Sequence, residues 1–260
     1  MVRILLPLIL LLTASCTTVD ATPANDGWIR LFDGRTLTGW TPKIRGHALG
    51  EDPLRTFRVK NGAIRVSYEN YDRFEKRFGH LAYRTSFSAY RLRFQYRFSG
   101  RWLPDVENWQ QSNSGAMLHG QPPETMARDQ EFPVSVEVQL LGAQRAEPSP
   151  TANLCTPGTH VVMDGKLEKT HCINSSSPIM PNDRWINAEI HVDSAGNFTH
   201  FIEGQPVLRY NGAQYDPDDA DAKPLIARAG GALEVRRGFI YLQSEGHPVE
   251  FRFIELMPLD

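Results

Sequence analysis

The sequence lacks the features that mark several familiar classes of protein. Its 260 residues include only three cysteines, so a disulfide-rich scaffold is excluded. The 28 lysines and arginines are balanced by 30 aspartates and glutamates, giving a net charge of −2, and no basic run appears. Because a nucleic-acid partner or an anionic membrane surface normally requires a basic face, the sequence predicts no nucleic-acid partner.

The sequence also has no apolar run of the length needed for a membrane-spanning helix near its start. Residues 4–12 are apolar except for Pro7, but a spanning helix needs about 20 such residues. Arg3 precedes this run, and Thr13-Ala14-Ser15-Cys16 follows it, as is typical of a lipoprotein signal. We expect residues 1–15 to be a signal peptide, Cys16 to carry lipid, and residues 16–26 to form a tether. The alternative is an ordinary secretory signal in which Cys16 is incidental.

The residue after Cys16 bears on location within a bacterial cell envelope. Thr17 stands where an inner-membrane retention signal would place an aspartate. The sequence therefore favours an outer-membrane anchor facing the periplasm, with membrane contact through the lipid only.

With Cys16 assigned to lipid, two cysteines remain. Cys155 and Cys172 would be exported to an oxidising compartment, where a pair is most simply a disulfide. A metal site is the alternative because His160 and His171 lie nearby, but the spacing matches no zinc pattern. We predict a disulfide that closes a loop of about 17 residues.

No long stretch of the chain shows the 3.6-residue repeat of an amphipathic helix. Apolar and polar residues instead alternate along Tyr90–Phe98, residues 134–140 and Ile186–Val192, with Gly- and Asn-rich turns between such runs. We therefore predict an all-β, antiparallel sandwich over residues 27–260 as one domain, with helix confined to short pieces. Two segments break the alternation: residues 141–177, interpreted as a long loop held by the cysteines, and the acidic loop 215–223.

Six motifs in order resemble those of the 3-keto-disaccharide hydrolase domain family, formerly a domain of unknown function. The resemblance covers about residues 27–259. The motifs are LFDGRTLTGW at residues 31–40, FRVKNGAI at residues 57–64, Asn113-Ser114-Gly115, Glu137-Val138-Gln139, Leu242-Gln243, and VEFR at residues 249–252.

The resemblance implies a concanavalin A-like jelly roll of two antiparallel sheets, one of them curved around a sugar-binding groove. It also implies a carbohydrate substrate. This chain departs from the family pattern in three places, where Val136 replaces a tyrosine, Gly142 an aspartate and Phe253 an asparagine. The cysteine-containing insert is also not general in the family.

Glu137 and Gln139 are the strongest site candidates. Two residues apart on a strand, they lie on one face about 7 Å from each other. On an outer sheet face they would be an ordinary solvated pair, whereas the family motif favours the groove floor. We predict that Glu137 is catalytic and that Gln139 orients the substrate. His119, expected on the same strand face as Met117, is predicted to act as acid or base across the groove.

Further residues are predicted to bind substrate. Asn113 and Ser114 offer groups that bind hydroxyls, and Tyr241 offers a surface on which a sugar could stack. Gln243 and Glu245 follow on the penultimate strand. Packing in the core is the alternative fate of the aromatic residue and of His119.

The chemistry implied by the resemblance is elimination followed by addition of water. A ketone at C3 acidifies the C2 hydrogen, so a base can remove it, and the enolate then expels the glycosidic oxygen from C1. This route needs a base, an enolate stabiliser and a proton donor. A divalent cation could polarise the ketone, but no ligand spacing for a metal is evident. The competing functions are a non-catalytic carbohydrate-binding lipoprotein on the same fold and a structural envelope lipoprotein.

Overall fold

Two antiparallel β-sheets pack face to face in the computed structural model, which describes residues 26–259. The predicted signal peptide, Cys16 and all of the tether except Asp26 lie outside the described residues. In chain order the strands are β1 (Ile29–Arg30), β2 (Trp40–Ile44), β3 (Phe57–Lys60), β4 (Ala63–Val66), β5 (Gly79–Tyr83), β6 (Tyr90–Phe98), β7 (Asn113–Gly120), β8 (Val136–Leu141), β9 (Asn153–Cys155), β10 (Thr159–Met163), β11 (Lys166–Glu168), β12 (Cys172–Ile173), β13 (Ile186–Val192), β14 (Asn197–Ile202), β15 (Gln205–Tyr215), β16 (Phe239–Ser244) and β17 (Val249–Pro258).

The larger sheet has ten strands and the smaller has seven. The order in the larger is β11-β10-β15-β14-β13-β6-β17-β4-β3, with β1 beside β17. The order in the smaller is β12-β9-β8-β7-β16-β5-β2. The helical elements described are short: α1 (Lys223–Arg228) and the 3₁₀ turns Asn108–Gln110 and Pro123–Thr125. This arrangement confirms the predicted all-β sandwich.

The core fills the space between the sheets because the strands alternate as the sequence predicted. Along β6, alternate residues from Tyr90 to Phe98 are buried, while Arg91, Arg93 and Arg97 lie on the outer face with partial exposure. Burying a large apolar side chain contributes about 1.5–3 kcal/mol, so these inward rows hold the two sheets together.

In strand β8 the same alternation places two polar residues on the outer face of the smaller sheet. Val136, Val138 and Leu140 join the core, so Glu137 and Gln139 face outward from the smaller sheet. The cross-strand partner of Glu137 is Met117, and that of Gln139 is Gly115. The predicted shared face of the two polar residues is therefore confirmed.

The segment 141–177 is not the long loop that we predicted. It contains four short strands, of which β9 and β12 belong to the smaller sheet and β10 and β11 to the larger. Asp164 and Gly165 join β10 to β11, both with positive φ (49° and 74°), as a type I′ hairpin turn requires. The loop-rich composition concealed an Asp-Gly hairpin signal.

Among residues 26–259, no helix has the length and apolar character needed to cross a bilayer.

Candidate active site

A cavity of about 510 Å³ opens on the outer face of the smaller sheet, above β7, β8 and β9. Its volume falls within the range of small-molecule sites. Carboxyl, amide and aromatic groups line the cavity, and two cysteines contribute to one of its walls. The lining residues are Trp109, Asn113, Phe132, Glu137, Gln139, Cys155, Pro157, His171, Cys172 and Glu245.

Glu137 lies on the cavity floor, where a glycine on the next strand leaves room for it. A Cβ atom built on Gly115 would collide with the Glu137 carboxylate, so any other residue at position 115 would displace that side chain. The Asn-Ser-Gly motif thus has a steric role: its glycine lets the carboxylate lie over the neighbouring strand.

Glu245 brings a second carboxylate to the same cavity, just after the end of β16. Its backbone oxygen accepts a hydrogen bond from Gln110 Nε2 at 3.2 Å, which fixes the chain there. The side-chain Oε2 is buried without a hydrogen-bond partner. Across residues 26–259, neither Glu137 nor Glu245 has a lysine, arginine or histidine nitrogen within 4.0 Å, whereas fourteen such ion pairs form elsewhere in that range.

Burial raises the pKa of both carboxyl groups. For Glu137 the loss of hydration is the main cause, and the neighbouring Gln243 amide partly opposes it, although neither amide atom completes a hydrogen bond of normal geometry. For Glu245 burial again comes first, the charge of Glu137 raises the pKa further, and Arg145 lowers it. Two adjacent buried carboxyl groups cannot both ionise easily, so the pair retains a proton near neutral pH.

A polar row continues from Glu137 across the floor of the smaller sheet. Gln243 on β16 pairs with His80 on β5, and His80 pairs with Lys43 on β2. Both ring nitrogens of His80 are buried without partners, and burial, together with the Lys43 charge, lowers the pKa of His80 to about 3. His80 is therefore a neutral group beside the site. Lys43 Nζ donates to the Arg128 carbonyl oxygen at 2.9 Å.

Aromatic side chains cover this floor. Phe132 lies over His80, with ring centroids 5.8 Å apart, and contacts Phe78 at 4.8 Å. Trp109 stacks on Phe78 at 6.2 Å and remains 46% exposed at the cavity mouth. Trp109 thus offers an open ring face to a ligand in the cavity.

The predicted disulfide is confirmed, and it forms one wall of the cavity. Cys155 and Cys172 are directly paired residues of β9 and β12, and their sulfurs are bonded. Cys155 is also the cross-strand partner of Glu137. The bond therefore ties the outermost strand of the smaller sheet to the strand beside the central carboxylate.

His119 lies on the other side of the sheet, so the predicted shared face with Met117 is wrong. A bulge interrupts the pairing of β7 with β16, and His119 has a φ of 48°. The bulge turns the ring into the core against Tyr90 and Phe198, with centroids 5.9 and 5.2 Å away. The ring nitrogens lie 3.1 Å from the Ser88 carbonyl oxygen and 3.4 Å from that of Val235, and burial lowers the pKa of His119 to about 4.

The structure divides the predicted substrate-binding residues into two groups. Asn113, Gln139 and Glu245 line the cavity, and Gln243 lies beside Glu137 beneath it. Ser114 instead faces the inside of the sandwich, where its hydroxyl donates to the Gln243 carbonyl oxygen at 2.9 Å. Tyr241 is fully buried, and its hydroxyl donates to the Gln121 carbonyl oxygen, so its ring offers no open stacking surface.

Sequence reasoning missed the pairing of Glu245 with Glu137 and the roles of Phe132 and His171 in the wall. The approach of Glu245 to Glu137 follows from strand register only when the order of the strands is known. Phe132 lies in the loop before β8 and carries no periodic signal, so only its position next to Pro133 marks it as distinctive.

The described residues were also compared with the ligand arrangements that metal ions require. Among residues 26–259, no group of three or more His, Cys, Asp or Glu side chains is arranged to hold a metal ion.

Most of the sequence matches one family model. The match runs over residues 27–257 to the 3-keto-alpha-glucoside-1,2-lyase-like domain. The chain belongs to this family. A search of curated proteins finds no match.

Solved structures similar to this 3-keto-alpha-glucoside-1,2-lyase-like domain share its fold at low identity. A candidate glycosyl hydrolase from Parabacteroides distasonis aligns with a TM-score of 0.53 and 19% identity, over 93% of this chain and 100% of that one. A Bacillus subtilis protein with a galectin-like fold gives 0.51 and 11%, over 85% and 90%. The β-glucanase of Bacillus licheniformis gives 0.50 and 7%, over 90% and 99%. The fold is thus the galectin- and concanavalin-like sandwich.

Proposed function

We propose that this protein cleaves 3-keto-glycosides, and that the Glu137–Glu245 pair performs the proton transfers. The observation that carries the proposal is the placement of two buried carboxyl groups in one cavity with no ion-pair partner. Such an arrangement is costly for folding, and it is typical of groups that exchange protons. The family match supports a 3-keto sugar as the substrate class.

In the proposed reaction Glu137, in its ionised form, removes the hydrogen from C2 of the 3-keto sugar. The C2–H electrons form the C2=C3 double bond of an enolate, and the negative charge moves to the ketone oxygen. The enolate reforms the ketone and a C1=C2 double bond as the C1–O bond breaks. Glu245, in its protonated form, gives its proton to the departing oxygen. Addition of water across C1=C2 then completes the cleavage.

A shared proton suits these two roles. Because the pair holds one proton between two carboxyl groups, one member is a base and the other an acid in the same complex. Ordinary glycosidases also use two carboxyl groups, but there the second carboxylate attacks C1 or activates water. Here the ketone makes C2 the reactive position.

The remaining cavity residues supply binding and orientation. Gln139 presents its amide to the cavity, while its Oε1 accepts a hydrogen bond from Asn153 Nδ2 at 3.1 Å, which fixes the amide plane. Asn113 Oδ1 is buried without a partner and can accept a hydrogen bond from a sugar hydroxyl. The exposed ring of Trp109 can stack on the apolar face of a sugar.

The test is to incubate the protein with 3-keto-trehalose, 3-keto-lactose and the two unoxidised parents. We expect monosaccharide release from a keto form and from neither parent. Release from the parents at equal rates would point to an ordinary glycosidase. Tight binding of these sugars without release would instead make the protein a carbohydrate-binding lipoprotein, for which the open Trp109 ring would be the platform.

We further propose that the protein works at the outer membrane, facing the periplasm, through lipid on Cys16. The support is the sequence Thr13-Ala14-Ser15-Cys16 after an apolar run. Labelling of cells with radioactive palmitate should mark the wild-type protein but not Cys16→Ala. Equal labelling of both, or of neither, would rule out the anchor.

A further inference from the structure

Phe253 is an unusual residue of the larger sheet, because a bulky aromatic side chain is held outward in a left-handed backbone conformation. Its φ is 52°, a region that glycine, asparagine and aspartate adopt far more readily than a phenylalanine. Its side chain is 61% exposed, the highest value among the large hydrophobic residues described. Neither the core nor the candidate active site uses this ring.

A bulge in β17 produces this orientation. The pairing of β17 with β6 shifts register between Arg252 and Glu255, so Arg252 and Phe253 both lie on the outer face while Phe251 and Ile254 enter the core. The Arg252 guanidinium lies 4.9 Å from the centroid of the Phe253 ring and 3.9 Å from that of Trp185. The Arg252 guanidinium therefore contacts the Phe253 ring, and the rest of the ring is exposed to solvent.

A cavity of about 320 Å³ borders the exposed ring. Its polar side chains are already ordered by contacts with one another. Arg93 Nη2 donates to Glu255 Oε2 at 2.7 Å, and Gln95 Nε2 donates to Asn187 Oδ1 at 2.8 Å. The third charged residue of the lining, Glu189, pairs with Arg91 at 2.6 Å. Each charge of the lining therefore has a partner of opposite sign, and the cavity offers fixed hydrogen-bonding groups.

From this geometry we infer that the Phe253 cavity is a second carbohydrate-binding site, which takes one ring of a neutral polysaccharide. A pyranose ring has an apolar face that packs on an aromatic ring, and its edge carries hydroxyls that bond to paired amides, guanidinium and carboxylate groups. A neutral, hydroxyl-rich ligand matches a lining whose charges are balanced.

Other occupants fit the surface less well. A protein interface of ordinary size buries about 800 Å² on each partner and needs several apolar anchors. The other exposed large hydrophobic residues described are Leu49, Trp109, Leu167, Ile179 and Leu259, and none of them lines this cavity. A lipid surface would likewise require a cluster of apolar side chains rather than a single ring.

The inference is tested by native gels of the intact protein that contain one of a panel of neutral polysaccharides, namely α-1,4-, β-1,3- and β-1,4-linked glucans and galactomannan. We expect retardation by at least one of them. The variant Phe253→Asn should weaken that retention by about tenfold, the effect of removing one central aromatic anchor. Because asparagine suits the left-handed conformation, the same variant should melt at the wild-type temperature or above it.

Three controls make the outcome decisive. Phe253→Tyr keeps the ring and should keep the retention, and Leu49→Asn removes an exposed apolar side chain elsewhere and should also keep it. Glu137→Gln changes the other cavity and should leave the Phe253-dependent retention intact, which separates this inference from the proposed enzymatic function. Retention that survives Phe253→Asn, or the absence of retardation by every polysaccharide, would overturn the inference. Binding to lipid vesicles that depends on Phe253, without retardation by any polysaccharide, would overturn it as well.

Discussion

The outer faces of the two sheets differ in whether their glutamates form ion pairs. On the larger sheet, arginines of β6 meet glutamates of the neighbouring strands: Arg91 with Glu189 at 2.6 Å, Arg93 with Glu255 at 2.7 Å and Arg97 with Glu250 at 2.5 Å. On the smaller sheet, Glu137 and Glu245 lie together without a cation within 4.0 Å in the part of the chain that the structure describes.

This difference separates charges that serve the fold from charges available for chemistry. Cross-strand ion pairs favour the register of neighbouring strands. Buried carboxyl groups without partners keep raised pKa values, which lets them accept and return protons near neutral pH. Burial alone does not distinguish a site, since Glu250 is also buried but is held by two arginines.

The largest expected effect is on turnover, when one glutamate on the outer face of each sheet is replaced by glutamine in turn. Glu245→Gln should lower turnover of a 3-keto substrate by about 10² or more, because it removes the proton donor. Glu250→Gln, the matched change on the larger sheet, should leave the turnover of the folded protein unchanged. Steady-state rates of monosaccharide release measure both, and an equal loss in the two variants would mean that the contrast is one of stability only.

A second prediction concerns the free energy of unfolding. Glu250→Ala should lower it by about 1.5–3 kcal/mol, since Arg97 then loses charge-assisted hydrogen bonds in a half-buried setting. Glu137→Gln should not lower it, because no ion pair is lost. Urea unfolding followed by circular dichroism compares the two, and a larger loss in Glu137→Gln would assign Glu137 to the fold.

The pH dependence of stability should carry the signature of the carboxyl pair. In the unfolded chain both glutamates ionise near their ordinary pKa of about 4.3, while the folded protein keeps a proton to higher pH. The free energy of unfolding should therefore fall as the pH rises from about 5 towards 8. The double variant Glu137→Gln/Glu245→Gln should lose this decline.

The buried histidines provide an internal comparison for the same titration. Burial lowers the pKa of His119, His200 and His247 to about 4. The free energy of unfolding should therefore fall as the pH decreases below about 6.5, because these residues then take up protons in the unfolded chain first. That loss on the acid side should persist in the double variant. If the decline towards pH 8 persisted as well, the two carboxyl groups would not be the cause.

Of the residues predicted from the sequence to be catalytic, His119 is expected to have the smaller effect on activity. His119→Asn should change turnover by less than about tenfold, because an acid/base group contributes at least about 10² and the ring lies in the core. Its melting temperature should fall, as for other changes in packed interiors. A loss of turnover at an unchanged melting temperature would return His119 to a catalytic role.

The sequence predicted the features that depend on local pattern. The alternation along β6, β8 and β13 predicted the strands and the outward face of Glu137, and two cysteines expected in an oxidising compartment predicted the disulfide. Irregularities were not predictable from alternation. The bulge at His119 adds one residue to the strand. Each residue beyond it therefore lies on the face opposite to the one that strict alternation predicts.

The composition of the candidate site depended on contacts between distant segments. The motif Asn113-Ser114-Gly115 is visible in the sequence, but the contact of Gly115 with the Glu137 carboxylate requires the register of β7 with β8. The encounter of Glu245 with Glu137 requires in addition that β16 lie beside β7. Strand order is set by packing over the whole sheet, and single-sequence patterns do not record it.

The central claim is that Glu137 removes the C2 hydrogen of a 3-keto-glycoside, and cleavage in D2O tests it most directly. Elimination followed by addition places deuterium at C2 of the released sugar, which mass spectrometry detects after subtraction of exchange without protein. We predict one deuterium at C2 with the wild type, and a rate of incorporation about 10² or more lower in Glu137→Gln. Deuterium reaches C2 when the hydrogen held by Glu137 exchanges with D2O before water adds, so a substrate that carries deuterium at C2 is the matched test and should be cleaved more slowly. Retention of the C2 hydrogen together with an unchanged rate on that substrate would contradict the account, as would wild-type incorporation by Glu137→Gln.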